Sequence, residues 1–464
     1  MRPLPVAARS STGWAVVVAA LYAMVAAVYA YLGMWRYAIF RAGVDDCIFT
    51  QVVNGAFAGF SATLEGSVNH FLIHFSPILL VALPFVRAFD GTRGLIVLQA
   101  LLAAATVVPV WGIAAARLPR WLAFVVAVVA ASYPPLSALA VGDFHELAFA
   151  PPVAAALVWA IDRKAWRLAI AAALVLAMVK EDQFVALAFI GGVVVALSKG
   201  DRRQRACGIW IAAMGLAGAA FYFGILRPLL DPHFPYFSLH YYEWWRFPAT
   251  PAGFVGPFSA ARAHYLLAIL LPLALLPLGS RYALFALPGL AEVLLSHEGI
   301  TMALGAHYTA TWSGYLLCAF ADGAYTLYRR SDVVAKGALA VALVASFLTS
   351  RYFSPIAPGY ALYRRPSEAD AARERILLAL PRDAGVGTGG FVIAHLGMFP
   401  HATIAMDGQE YLIFDAFTDP AASRVGDWPK IARLVASGAY SKESDSDGLI
   451  VLKKDSARRQ LPVR

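Results

Sequence analysis

The sequence predicts a mainly α, polytopic membrane protein. It should have about eleven transmembrane helices, one re-entrant or interfacial helix and a small C-terminal extracytoplasmic α/β domain. Three observations predict this. Of 464 residues, 60% are hydrophobic and only 14% are charged, against about 25% charged in soluble domains, and the mean hydropathy is +0.64. Apolar runs approaching the length a bilayer requires recur along the chain. After Ser350 the composition turns polar and alternating. A chain this apolar cannot hide its surface from water by folding on itself, so lipid must be its solvent.

The N-terminus has a basic start followed by an apolar stretch of about twenty residues, long for a signal-peptide core and without a small-x-small cleavage site. It reads as an uncleaved first span that starts in the cytoplasm. Spans are expected at 13–32, 95–116, 121–139, 147–161, 168–179, 184–197, 207–226, 263–278, 282–295, 309–327 and 333–350. Three scattered cysteines, Cys47, Cys207 and Cys318, suggest neither a disulfide framework nor a CxxC metal site. The formal charge of +9 is no sign of nucleic-acid binding, because most Lys and Arg lie in short clusters between apolar runs.

The run 70–89, "HFLIHFSPILLVALPFVRAF", decides the topology. If it does not cross, the basic loops "ARLPR", "DRKAWR", "SKGDRRQR", "GSR" and "YRRSDVVAK" all face the cytoplasm. The opposite side then receives "AGVDDCIFTQ", "VGDFHE", "VKEDQ", "DPHFPYFSLHYYEWWRF" and "SHEGITMALGAHY". If it crosses, every later loop inverts and breaks the positive-inside rule. The run is therefore expected to be re-entrant or interfacial, with the C-terminus outside.

Two domains follow: residues 1–350 in the membrane and 351–464 outside it. In the second, Ser367 and Asp370 form a capping box ahead of a helix. Strand-like runs follow at "FVIA", "TIAMD" and "YLIFDA", then a helix at "DWPKIARLVASG" and a hairpin around "SDSDG" ending in "LIVLKK". "GVGTGG" precedes an expected strand instead of joining a strand to a helix, so it reads as a flexible turn and not a phosphate loop. No internal repeat is evident, which weighs against an inverted-repeat transporter.

The candidate chemistry gathers on one expected face: Asp45 and Asp46; His70 and His74; Asp143, His145 and Glu146; Lys180, Glu181 and Asp182; His297 and Glu298; His307 and Tyr308. At the bilayer centre each charge would cost roughly 2.5–3.5 kcal/mol, so these groups belong at a water-filled mouth. In "GVDDCIFTQ" one Asp is expected to act as a general base and the other to support it; the alternative is a solvated loop. His70 and His74, at i and i+4, share a helix face, but no third metal ligand follows nearby. Lys180 could neutralise a phosphate that Glu181 or Asp182 orients; the alternative is an ion-pair network between helices. The aromatics of "HFPYFSLHYYEWW" suit an interfacial belt or contacts to sugar or lipid.

"VDDCIFTQVVNGAF", "HFSPILL", "YPPL", "DFHELAFAPP" and "KED", with the tail motifs "YLIFDAF" and "ASGAYSKESDSDGLIVLKKD", stand in the order and spacing of a known family. The chain resembles a large bacterial family of uncharacterised multi-pass membrane proteins, a domain-of-unknown-function family similar to GT-C glycosyltransferases. The resemblance implies a GT-C-like transmembrane domain, a catalytic carboxylate in the first outer loop and a polyprenyl-phosphate sugar donor. Matching Ile48, Phe49 and Gln51 to the family's first motif puts its Asp at Asp45; Val44, Asp46 and Cys47 depart from the pattern, so the base is Asp45 or Asp46.

The expected function is thus transfer of a sugar from a polyprenyl-phosphate donor to an acceptor on the outer face of a bacterial cytoplasmic membrane. Lys180 and His145, with His74, would stabilise the departing phosphate. A divalent metal held by Asp143 or Glu146 could do the same, and His307 and Tyr308 are further substrate-binding candidates. The alternatives are a transporter or lipid flippase using the same outer charges, and a structural membrane protein with a sensing ectodomain. Transporters place ionisable groups near the midplane, which favours the enzyme.

Overall fold

The structure is a computed structural model that describes residues 11–246, 259–353, 364–415 and 428–455. The basic start of the chain lies outside the described residues. The chain is mainly helical and divides into two compact units. One holds residues 1–31, 99–141 and 146–360; the other holds 32–98, 142–145 and 361–464. The second unit thus combines the polar C-terminal region with two earlier segments that the composition boundary near 350 leaves with the membrane domain.

Among the described residues four helices are long and apolar enough to span a bilayer: Gly13–Ala38, whose N-terminal part belongs to the first unit, Thr92–Ala115, whose C-terminal part does, and Arg202–Leu230 and Asp332–Thr349, wholly within it. A fifth span is possible where Arg120–Ala131 and Pro134–Val141 meet at 49°. That bend falls at Tyr133, just before Pro134 and Pro135, where the missing amide N–H groups break the helical hydrogen-bond ladder. The expected spans at 147–161, 168–179 and 184–197 contain shorter helices, Ala150–Asp162, Trp166–Ala177 and Asp182–Ala196. The run 263–278 starts as the helix Ala260–Leu270 and then unwinds, with Ala274 and Leu275 at positive φ. The helix Ala310–Tyr328 forms the centre of this unit, buried along almost its whole length. Outward-facing apolar side chains such as Trp210, Leu216, Val185 and Phe347 are exposed, as lipid-facing positions must be.

Polar groups near the ends of these helices meet in a pattern that bears on topology. Arg117 is paired with Asp162 and donates to Asp322 at 2.9 Å. The Ser280 hydroxyl donates to Asp322 at 2.7 Å, and the Tyr282 hydroxyl donates to Asp162 at 2.7 Å. Lys164 reaches Asp201 at 3.0 Å. Arg117, Asp162, Lys164, Asp201 and Ser280 come from "ARLPR", "DRKAWR", "SKGDRRQR" and "GSR", four of the five loops expected to share one side. Tyr282 flanks the last of these, and Asp322 lies on the helix Ala310–Tyr328 that leads to the fifth.

The second unit is built on a five-stranded sheet in the order β2-β1-β3-β5-β4. The strands are β1 (Val386–Thr388), β2 (Ala402–Thr403), β3 (Tyr411–Asp415), β4 (Tyr440–Ser446) and β5 (Leu449–Lys454). β1 runs parallel to β2 and β3, and β5 is antiparallel to β3 and β4. The strand at "YLIFDA", the final hairpin and the helix Trp428–Ala436 are as the sequence predicts over the described residues, and Ser367 and Asp370 form the expected capping box of the helix Glu368–Leu378.

Three expectations fail here. Of "TIAMD" only Thr403 is in a strand, at the end of β2. "GVGTGG" is not a turn: its Val386–Thr388 is β1, fully buried between β2 and β3. Glycine is required in that strand because a Cβ on Gly387 would stand 2.2 Å from the Ala405 carbonyl oxygen. "FVIA" is not a strand but leads into the 3-10 turn Ile393–Leu396.

One face of the sheet packs Val386, Ile413 and Val451 with Leu377, Ile393, Leu396, Phe399, Phe40 and Cys47. Cys47 lies on the helix Val44–Asn54, so that helix is anchored on the sheet core. On the same helix the Gln51 amide donates to the carbonyls of Phe399 at 2.9 Å and Ala402 at 3.0 Å and accepts from the Thr63 N–H. The run 70–89 is not one long helix. It contains the 3-10 turns His70–Leu72 and Pro77–Ala82 and the helix Leu83–Ala88. At about 1.5–2.0 Å per residue these reach well short of a 30 Å hydrocarbon core.

Candidate functional site

The helix Val44–Asn54 presents the carboxylates. Gly43 is its N-cap, and Asp45 and Asp46 stand in its first turn, where unpaired N–H groups and the helix dipole favour negative charge. The two side chains are placed differently. Asp46 is completely buried, whereas Asp45 is partly exposed. Asp46 Oδ1 accepts from the Phe144 N–H at 2.8 Å, and Arg36 Nη1 lies 3.7 Å from its other oxygen. Burial and the neighbouring Asp143 carboxylate push the Asp46 carboxyl well above the usual carboxylate range, against the pull of Arg36.

Arg36 also pairs with Asp143, whose Oδ1 accepts from the Gly43 N–H at 3.0 Å. One guanidinium therefore ties the end of the first helix to the Asp46 helix and the segment 142–145. Gly43 is needed at this junction: a Cβ there would stand 2.1 Å from Asp143 Oδ2. Sequence reasoning missed Arg36. It was visible as an isolated cation at the expected outer end of the first span, against the positive-inside pattern.

Beside the carboxylates the histidines gather round Phe49. The Phe49 ring lies 5.0 Å from His145 and 5.9 Å from His70, both edge-on. His74 lies 6.3 Å from His145 and 6.1 Å from His70. The Glu65 carboxylate is 2.8 Å from His70 Nδ1. Within this unit the structure thus brings together Asp45, Asp46, His74, Asp143 and His145.

The other unit holds a separate group of charges. Lys180 Nζ is 3.8 Å from Glu146, and both are buried. Glu181 is buried and accepts from the Tyr236 hydroxyl at 2.8 Å. The Asp182 carboxylate accepts from the Gln183 side chain at 2.9 Å. Tyr236 in turn lies under the Arg227 guanidinium, 5.1 Å from its ring centre. The His307 ring lies 4.2 Å from that of Tyr308, tilted by 40°, and Tyr308 lies 6.1 Å from Tyr241, tilted by 59°. Neither Asp143 nor Glu146, the expected metal ligands, belongs to a cluster of three metal-ligating side chains among the described residues. Asp143 is paired with the cation Arg36, and Glu146 lies 3.8 Å from the cation Lys180.

Among the solved structures that match, two forms of one protein are similar over nearly the whole chain. ArnT from Cupriavidus metallidurans bound to undecaprenyl phosphate superposes with a TM-score of 0.60 at 13% identity, covering 96% of this chain and 99% of that one. The apo form of the same protein gives a TM-score of 0.55 at 12% identity, covering 97% and 99%. At such identity the likeness is one of fold. No curated protein matches the sequence. The model of one family, described as "Predicted membrane protein (DUF2079)", matches residues 36–451, and the chain belongs to that family.

Proposed function

We propose that the protein is an integral membrane glycosyltransferase of GT-C type that transfers a sugar from a polyprenyl-phosphate donor to a hydroxyl on the outer face of a bacterial cytoplasmic membrane. The observation that carries the reading is the carboxylate-bearing helix Val44–Asn54, held rigid by Arg36, Asp143 and Gln51 within an ArnT-like fold. Catalysis of group transfer requires a base fixed in place and partly open to its substrate. Asp45, partly exposed in the first helical turn, takes the acceptor proton. Asp46, buried and bonded to the Phe144 N–H, positions it.

The acceptor oxygen bonds to the sugar's anomeric carbon as the bond from that carbon to the lipid-phosphate oxygen breaks. The electron pair stays on the departing phosphate, so negative charge grows there. His145 and His74 near the carboxylates, and Lys180 in its own buried charge group, are assigned to stabilise it. Glu146, Glu181 and Asp182 set the field at Lys180. His307 and Tyr308 contact substrate. The ArnT neighbour's bound undecaprenyl phosphate supports a lipid-phosphate partner.

Eleven crossings, with 70–89 not crossing, complete the proposal. The short elements of 70–89 and the meeting of Arg117, Asp162, Ser280 and Asp322 support that topology.

Native mass spectrometry in nanodiscs tests the donor half. The protein should bind undecaprenyl phosphate, and Lys180→Ala should weaken binding while the variant still inserts and folds. Normal binding in a normally folded Lys180→Ala protein would remove the phosphate role from Lys180; no binding by the unaltered protein would defeat the donor assignment.

A further inference from the structure

We propose that His240, His297 and Glu298 form a binding site for a divalent transition-metal ion of the zinc class. None of these residues has a role in the transfer mechanism above. Their ligand atoms all lie within 4.8 Å of one another. Glu298 Oε1 is 3.2 Å from His297 Nε2 and 3.7 Å from His240 Nε2. Bonds of about 2.0–2.1 Å in tetrahedral geometry place neighbouring ligands about 3.3–3.4 Å apart. His297 and Glu298 already stand near that spacing, and the exposed His240 ring has its ligand atom within 4.8 Å of both. Two imidazoles and one carboxylate are a donor set suited to zinc and its neighbours, and poorly suited to magnesium or calcium, which take oxygen shells.

The backbone under the site is held independently of any ion. Arg262 donates to the carbonyls of Leu294 at 2.7 Å and Ser296 at 2.6 Å. The buried Ser296 hydroxyl accepts from the Glu298 N–H at 3.1 Å. The His297 N–H donates to the carbonyl of Tyr241, the residue after His240, at 2.9 Å. The two chain segments that supply the ligands are therefore already tied to each other, which lowers the entropic cost of closing the site. The imidazoles meet edge to face at 5.2 Å. The His240 side chain is 61% exposed and that of Glu298 41%, so a fourth position faces solvent and can hold water or an anionic oxygen. An exposed ion pair alone gains little from two imidazoles converging on one carboxylate oxygen.

The test uses the full chain in nanodiscs, purified without a polyhistidine tag and stripped with a chelator. It is titrated with Co2+, read by visible absorption, and with Zn2+ by competition. One Co2+ per chain should bind, and His240→Ala and His297→Ala should each raise the Kd by about 100-fold or more. His233→Ala, an exposed histidine earlier in the same loop, should leave it unchanged. Thermal unfolding in chelator checks that the variants fold. On the unaltered protein, Zn2+ should slow carbethoxylation of His240 and His297 but not of His233. The proposal is overturned if no Co2+ band appears, if both alanine variants bind Co2+ as before, or if Zn2+ protects neither histidine. The three side chains would then be an ion pair only.

Discussion

At the scale of the residue, the account turns on Arg36. Its guanidinium is 12% exposed and serves two carboxylates, one of them completely buried. Arg36→Ala would take the bonded cation from Asp143 and the neighbouring one from buried Asp46, and breaking a buried ion pair on one side costs about 3–5 kcal/mol. Chemical unfolding of the purified protein should show a loss of that size, and adding Asp143→Asn should recover part of it because the neutral amide needs no counter-charge. A loss within experimental error would mean that the ion pair does not hold the helix. The two carboxylates and the histidines were legible in the sequence because they are rare residue types in apolar surroundings. Their division of labour was not legible, because adjacent positions on a helix point about 100° apart and only the packing shows which side chain is covered. Arg36 was hidden for another reason: charge sorting by loops treats each cation as topology and does not ask what it pairs with.

Among the elements, the helix Glu368–Leu378 gives the clearest case of sequence dictating structure. Its N-cap Ser367 accepts from the Asp370 N–H at 3.3 Å, and the Asp370 carboxylate accepts from the Ser367 N–H at 2.8 Å. Arg364 adds a bond to the same carboxylate at 2.8 Å. Burial opposes ionisation, but the bonds from Arg364 and Ser367 outweigh it and hold the Asp370 carboxyl below its ordinary value. A carboxyl lowered on folding contributes stability that is fully present above the unfolded value, about 3.9, and is lost as the pH falls through the lower folded value. The acid unfolding of this unit should therefore include a component below about pH 4 that Asp370→Asn removes, at a cost of about 1–3 kcal/mol near neutrality. Circular dichroism across a pH series reads both. The strand β1 was illegible for the opposite reason. Three residues containing a glycine have no period to read, and Val386–Thr388 is a strand because β2 and β3 flank it. The short helices Trp166–Ala177 and Ala150–Asp162 show the same limit, since an apolar run alone does not reveal where its helix starts or stops.

For the whole molecule, the apolar composition made the membrane class and much of the helical architecture readable. The number of crossings was less so, because proline-rich ends and unwound stretches such as 271–279 blur the runs. Labelling of single engineered cysteines from outside intact cells should reach sites beside Asp182 and Glu298 and should not reach sites beside Arg203 or Arg330. Labelling beside Arg203 instead of Asp182 would invert the proposed topology. The central claim is that a carboxylate on the helix Val44–Asn54 is the base in sugar transfer from a lipid phosphate, and turnover in nanodiscs tests it most directly. The purified protein is given a panel of undecaprenyl-phosphate-linked sugars with an extract of cell-envelope acceptors, and release of undecaprenyl phosphate is measured. Asparagine matches aspartate in shape but cannot take the acceptor's proton. Asp45→Asn should therefore bind the donor normally and cut release by about 10²–10⁴-fold, with Asp46→Asn losing much less. Release at the full rate by both variants would contradict the mechanism.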